Sequence, residues 1–290
     1  MPPVGLQVGI LALGAWIAAT GVEDQVDPTA AAQFDALLKE YQDAGSGGST
    51  SDEQRMALIA RVYQIRHGLE LKFVELAEKY PQEPIATDAL IRAVWQVNTT
   101  PWPVEVVGRD SARTRAFALL QRDHLRSDKL GPICLRISFG FCKEYEVFLR
   151  AVLETSPHQT IQGLACLALA HFLSNRLQRL DLLDEQSRLA KEFADLFGDD
   201  YLAELRRQER TTASNEAEGL FARAIERHGQ VKIEDGGTVG EKARAELFEM
   251  RHLVVGKEAP EIEGEDQDGK AFKLSDYRGK VVLLDFWHQA

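Results

Sequence analysis

The chain has 290 residues, enough for two domains of ordinary size. Apolar residues supply 44% of it and charged residues 27%, a globular composition and not a disordered one. Its 34 basic and 45 acidic side chains leave a formal net charge of -11; that sign, with no long run of Lys and Arg to offset it, argues against a nucleic-acid partner.

From Val4 to Gly21 the chain is apolar apart from Gln7 and Thr20, and it turns acidic at Glu23 and Asp24. An apolar core followed by the small residues Ala18, Ala19, Thr20 and Gly21 has the form of an export signal, although no Lys or Arg precedes it. Uncleaved, the segment is barely long enough to span a bilayer, which takes about 20 apolar residues. A buried amino-terminal helix is the third reading. The expectation is a signal peptide or anchor over residues 1–21 and an extracytoplasmic protein, in contact with a membrane only if the segment stays uncleaved.

Residues 22–253 read as a mainly α body, a bundle of helical hairpins with a repeat-like character. Asp27 as a cap and Pro28 at the first helical position predict a helix carrying Phe34, Leu37, Leu38 and Tyr41 at three- and four-residue spacing. The Gly/Ser-rich stretch from Gly45 reads by composition as a flexible linker. Asp52 is the expected cap of the next helix, which carries Met56, Ile59, Tyr63, Leu71, Val74 and Leu76 and stops near Pro81.

Two segments then look like one unit written twice. Phe73 to Pro81 is followed eight residues later by Ala89 and Leu90, and Phe148 to Pro157 is followed eight residues later by Ala165 and Cys166. Each is an apolar-faced helix, a proline corner and a second helix with small residues where a neighbour must come close. Helical hairpin repeats are built this way, and an irregular bundle fits nearly as well. A long helix is expected from about Leu183 to Gln208, its mixed charges forming a solvated face. Two last helices, around Glu216–Phe221 and Ala243–Phe248, are separated by the turn-forming Asp235-Gly236-Gly237.

The body shows little chemistry. Cys134, Cys142 and Cys166 have no C-x-x-C spacing, and all three read as core thiols. His67, His124, His158, His171, His228 and His252 are scattered, with no His or Cys three or four residues away, so they read as surface or helix-end residues and not metal ligands. His158, after Pro157, is the expected start of a helix. No phosphate-binding glycine motif and no G-x-S-x-G is present. No catalytic, cofactor-binding or metal-ligating residue is assigned, and no cofactor is expected.

From Val255 the pattern changes. Val255-Gly-Lys-Glu-Ala-Pro260 is extended, because a residue before proline is pushed out of helical geometry. Asp266-Gln-Asp-Gly-Lys270 is a tight turn with glycine available for positive φ. Lys273 to Arg278 forms a short helical turn that Ser275 or Asp276 can start. Val281-Val-Leu-Leu-Asp-Phe-Trp287 is a seven-residue apolar run expected to be a strand, paired with extended segments near Ala259–Glu263 and Ala271–Leu274.

Taken together, V-G-x-x-A-P, D-G-K, L-S-D-Y-R-G-K and V-V-L-L-D-F-W resemble the opening of a thioredoxin-like redoxin domain, of the TlpA-type disulfide reductase branch within the AhpC/TSA-like superfamily. The resemblance covers about an eighth of the chain and implies the start of an α/β thioredoxin-like fold over residues 254–290. In that family the F-W end of the strand is followed after three residues by a C-x-x-C at a helix amino terminus. There the helix end lowers the first thiol's pKa and makes it nucleophilic. Here the three residues are His288, Gln289 and Ala290, the last of the sequence, so no catalytic residue of the family maps onto this chain. The reading is a truncated redoxin domain behind a helical extension, a fragment of an exported thiol–disulfide oxidoreductase inactive as it stands. The alternative is a helical-repeat scaffold that engages a protein partner and uses the redoxin-like tail only as a packing strand.

Overall fold

The computed structural model describes residues 29–44, 52–95, 111–234, 236–266 and 268–286. They are mainly helical. Thr29 caps α1 (Ala30–Asp43), its hydroxyl accepting a bond from the Ala32 amide at 3.3 Å. The helix therefore starts later than expected, and Asp27 and Pro28 lie outside the described residues, as do the linker and the segment at residues 4–21. Asp52 opens α2 (Asp52–Lys79) as its first helical residue.

The two proline corners form as expected. α2 ends at Lys79, and the Tyr80–Pro84 turn leads into α3 (Ile85–Val94), where Ala86, Ala89 and Ala93 are fully buried. Two short helices, α4 (Ala112–Asp123) and α5 (Gly131–Ile137), lead to the second unit. There α6 (Lys143–Thr155) turns at Ser156 and Pro157 into α7 (Gln159–Glu185), and His158 is the residue before the first turn. Gln162 secures the corner by donating its side-chain amide to the Ser156 carbonyl at 2.8 Å. Phe73 and Phe148, matched in the two units, are both fully buried. Small side chains explain why α7 can run through the middle of the body: Ala165, Cys166, Ala168 and Ala170 let neighbouring helices approach.

The long helix expected over residues 183–208 is three pieces instead. α7 runs on to Glu185, α8 spans Ser187–Phe197, and α9 spans Asp199–Arg207. The second break is Gly198 at φ 90°, a conformation that favours glycine and ends the helix. The breaks fold α8 and α9 back on the end of α7 around a second core of Phe141, Leu180, Leu183, Phe193, Leu202 and Leu205. Phe141 is its centre, edge-on to Phe193 at 5.2 Å between ring centroids. Burying that cluster rewards the folding back, which a straight helix would forgo.

α10 (Arg210–His228) and α11 (Val239–His252) are the expected last pair, joined by a turn in which Lys232 and Thr238 form an isolated antiparallel bridge. Asp235 lies outside the described residues. Thr238 and Glu241 form a reciprocal capping box at the start of α11. α7 packs against α10, and their meeting faces bury Ala217, Phe221 and Ala224 with the α7 alanines.

Beyond α11 the only sheet among the described residues is a hairpin of β1 (Glu263–Glu265) and β2 (Ala271–Lys273). Val281–Phe286 is the clearest departure from expectation. It is extended but joins no ladder, and Val281, Leu283 and Phe286 are 103%, 93% and 81% exposed. A strand is made by its partners; the two short strands of the hairpin pair with each other, and Val281–Phe286 joins neither of their outer edges.

Candidate functional site

Residues 255–286 build their local structure from short-range bonds. Gly256 takes φ 88° within the V-G-x-x-A-P opening. The hairpin is antiparallel, with Gly264 opposite Phe272. Asp266 organises its turn: its Oδ1 accepts the amides of Asp268 at 3.0 Å and Lys270 at 2.9 Å, and Gly269 sits at φ 78°, where an L side chain is strained. D-G-K is thus a turn motif for a stated reason.

The L-S-D-Y-R-G-K element follows as one turn of 3-10 helix over Leu274–Tyr277. Neither Ser275 nor Asp276 starts it. Asp276 instead reaches back from inside the turn to accept the Lys273 amide at 3.0 Å, and Glu261 accepts the Ser275 amide at 2.9 Å. The Ser275 bonds hold the Glu261 carboxyl below its ordinary pKa. The Leu274 amide donates to the Ile262 carbonyl at 2.9 Å, and Arg278 pairs with Glu258. The opening, hairpin and turn pieces of the string therefore each have a partner within the string, whereas Val281–Phe286 has none among the described residues. Residues 255–290 match the AhpC/TSA family. A search of curated proteins and a search of solved structures each found no match. The match places a redoxin-like segment at the carboxyl-terminal end and leaves the helical body without a relative to compare.

The redoxin segment holds no thiol: the cysteines all lie in the body as buried free thiols. Burial pushes Cys134 up to about 12 and Cys166 up to about 11, far from the depressed values a nucleophilic thiolate needs. Cys166 donates instead to the Leu220 carbonyl at 3.4 Å, tying α7 to α10. No cluster of His, Cys, Asp or Glu suited to a metal ion occurs among the described residues.

The histidines divide. His124, His158, His228 and His252 sit at helix ends, as expected. His171 is different: it lies mid-helix in α7, largely buried, with Nε2 3.2 Å from Glu246 of α11 and its ring against Phe221. His171 holds the Glu246 carboxyl below its usual range.

Sequence reasoning missed the body's strongest polar group. Arg176, 4% exposed, pairs from α7 with Glu146 of α6, which also receives Arg150 at 2.7 Å; Arg150 in turn reaches Glu216 of α10 at 2.6 Å. Burial would raise the Glu146 carboxyl, but Arg176 and Arg150 outweigh it and hold it low. Only a charged residue inside the apolar face of α7 signalled this in the sequence. The arrangement links three helices and presents no open face for chemistry.

Proposed function

We propose that residues 254–290 are the opening of the catalytic domain of a thiol–disulfide oxidoreductase, of the TlpA-type branch, and that residues 22–253 are a helical domain preceding it. The observation that carries this reading is the AhpC/TSA match over a segment whose motifs make the bonds of a redoxin-type hairpin and turn. The reading also includes export through residues 1–21 and a helical body that engages a protein partner. No described helix is long and apolar enough to cross a membrane.

Residues 1–290 contain no C-x-x-C, the three thiols they do contain are buried, and burial raises the pKa of Cys134 and Cys166, so this stretch alone is expected to be inactive. Disulfide reduction requires a thiolate that can attack a sulfur and a second thiol that resolves the mixed disulfide. The exposed run Val281–Phe286 favours this reading over that of a packing tail, because a tail that serves to pack would be covered. The test is insulin reduction with dithiothreitol as donor. Residues 1–290 should give the uncatalysed rate, and turnover that disappears on Cys134→Ser or Cys142→Ser would refute the assignment of those thiols to the core.

A further inference from the structure

Where the end of α3, α5 and the first turns of α7 meet, the body has an open groove of about 640 Å³, within the size range of ligand sites. Trp95, Pro132, Leu135, Phe139, Ile161 and Leu164 line it. Its aromatic members are held in place. Arg136 stacks on the Trp95 ring at 4.8 Å and donates to the Trp95 carbonyl. Arg179 of α7 donates to the Phe139 carbonyl at 2.6 Å and to the Gly140 carbonyl at 3.0 Å, yet Phe139 stays 55% exposed. A large apolar side chain left facing solvent on a pinned backbone, inside a groove, is the kind of anchor an interaction surface uses.

The turn between α10 and α11 supplies another wall. Val239 donates its amide to the Val231 carbonyl at 2.9 Å, and Ile233 donates to the Gly237 carbonyl at 3.1 Å. These flanking bonds make Lys232 and Thr238 a non-hydrogen-bonded antiparallel pair, in which each residue's own N–H and C=O point away from its partner. Thr238 donates its outward amide to Glu241, in the α11 capping box. The outward amide and carbonyl of Lys232 belong to residues 232–234, which border the groove. Ile233, 9% exposed, pins that stretch to the core. An outward strand edge beside an apolar groove is what an added extended chain pairs with. The charges around the groove balance, Asp128 and Glu234 against Arg136 and Lys232, so neither an anion nor a cation is selected.

We propose that this groove binds an extended, uncharged, apolar segment of a non-native polypeptide, through backbone pairing with Lys232 and side-chain contact with Phe139 and Trp95. This rests on the oxidoreductase reading and names its substrate class: protein presented as unfolded chain. The outward edge at Lys232 calls for extended backbone, the apolar lining for apolar side chains, and the balanced rim for a segment without net charge. A helix has no unpaired backbone to offer that edge, and a charged peptide gains nothing from that rim.

Fluorescence anisotropy of residues 1–290 with a labelled, end-capped octapeptide of alternating Leu and Ser tests this, because binding is read with no thiol chemistry. A failure to bind would leave the oxidoreductase reading standing, and failure of that reading would appear in disulfide reduction and not here. The octapeptide should bind saturably, with little dependence on salt, and more tightly than the same peptide with Glu in place of Ser. Phe139→Ser should weaken binding about tenfold or more. Lys232→Pro, which removes an amide outside the turn's own bonds, should weaken it about threefold to tenfold. Leu182→Ser, about 27 Å along α7 from Leu164, should leave it unchanged. Should Lys232→Pro fail to fold, an octapeptide N-methylated along one edge loses the same pairing without touching the protein and should bind as weakly. Equal binding of the Glu peptide, or binding undiminished by both Phe139→Ser and N-methylation, overturns the proposal. So does a dimer of residues 1–290 in sedimentation that Phe139→Ser dissolves, which would give the groove to a second copy.

Discussion

Phe148 and Phe286 are the same residue in opposite circumstances. Phe148 is fully buried, with Phe117 edge-on at 5.4 Å and helices on every side, whereas Phe286 is 81% exposed on an extended run with no partner. The helical body and the redoxin-like segment differ in the same way throughout. A helix satisfies its own backbone, so each element of the body needs only an apolar neighbour to be stable. A strand satisfies its backbone only through another strand, so Val281–Phe286, however apolar, gains nothing from its own sequence. The hairpin before it forms because Asp266 and Asp276 close its turns with bonds between near neighbours in the chain and Glu261 ties its two ends together.

Amide hydrogen exchange should separate the two regions most widely. Amides around Phe148 and Phe172 should exchange only through global or near-global opening, slower by about three orders of magnitude or more than those of Val282–Phe286, which should exchange at nearly random-coil rates. Protection of Val282–Phe286 comparable to the helical core would show that the run finds an edge to pair with, and the contrast would be broken.

The next largest difference is in stability. Phe148→Ala should destabilise by about 3–5 kcal/mol, the cost of removing a fully buried aromatic side chain and leaving a cavity. Leu283→Ala, at a 93% exposed position, should stay within about 0.5 kcal/mol of the parent. Paired chemical denaturation curves measure both, and a comparable loss at the two positions would mean that Leu283 is covered after all.

The polar link within the body gives a smaller effect with a sign. Glu146→Gln should cost about 3 kcal/mol, because it leaves Arg176 buried beside a neutral amide. The folded state holds the Glu146 carboxyl below its unfolded value, so its contribution is fully present above about pH 4.3 and is lost as the pH falls through the lower folded value. The gap between the parent and Glu146→Gln should therefore narrow on acidification below about pH 4, which urea midpoints measured from pH 6 to pH 3 would reveal. A gap that widens in acid would reverse the assignment.

What was legible in the sequence follows from the range of the interactions involved. The proline corners at Pro81 and Pro157, the small residues at Ala89 and Ala165, the turn at Gly236-Gly237 and the D-G-K hairpin are local, and each formed where its residues stand. The redoxin resemblance was legible for the same reason in its opening, hairpin and turn, whose motifs bond within their own string. Tertiary structure alone decided the rest. It broke the expected helix at Gly198 because folding back lets Phe193, Leu202 and Leu205 cover Phe141, a contact between residues some sixty apart. It paired Glu146 with Arg176 and gathered Trp95, Phe139 and Lys232 around one groove, none of which has a sequence spacing to betray it. It also left Val281–Phe286 unpaired, because hydrophobicity and β-propensity describe what a strand is made of, while hydrogen-bond partners, supplied from elsewhere in the fold, determine whether it exists.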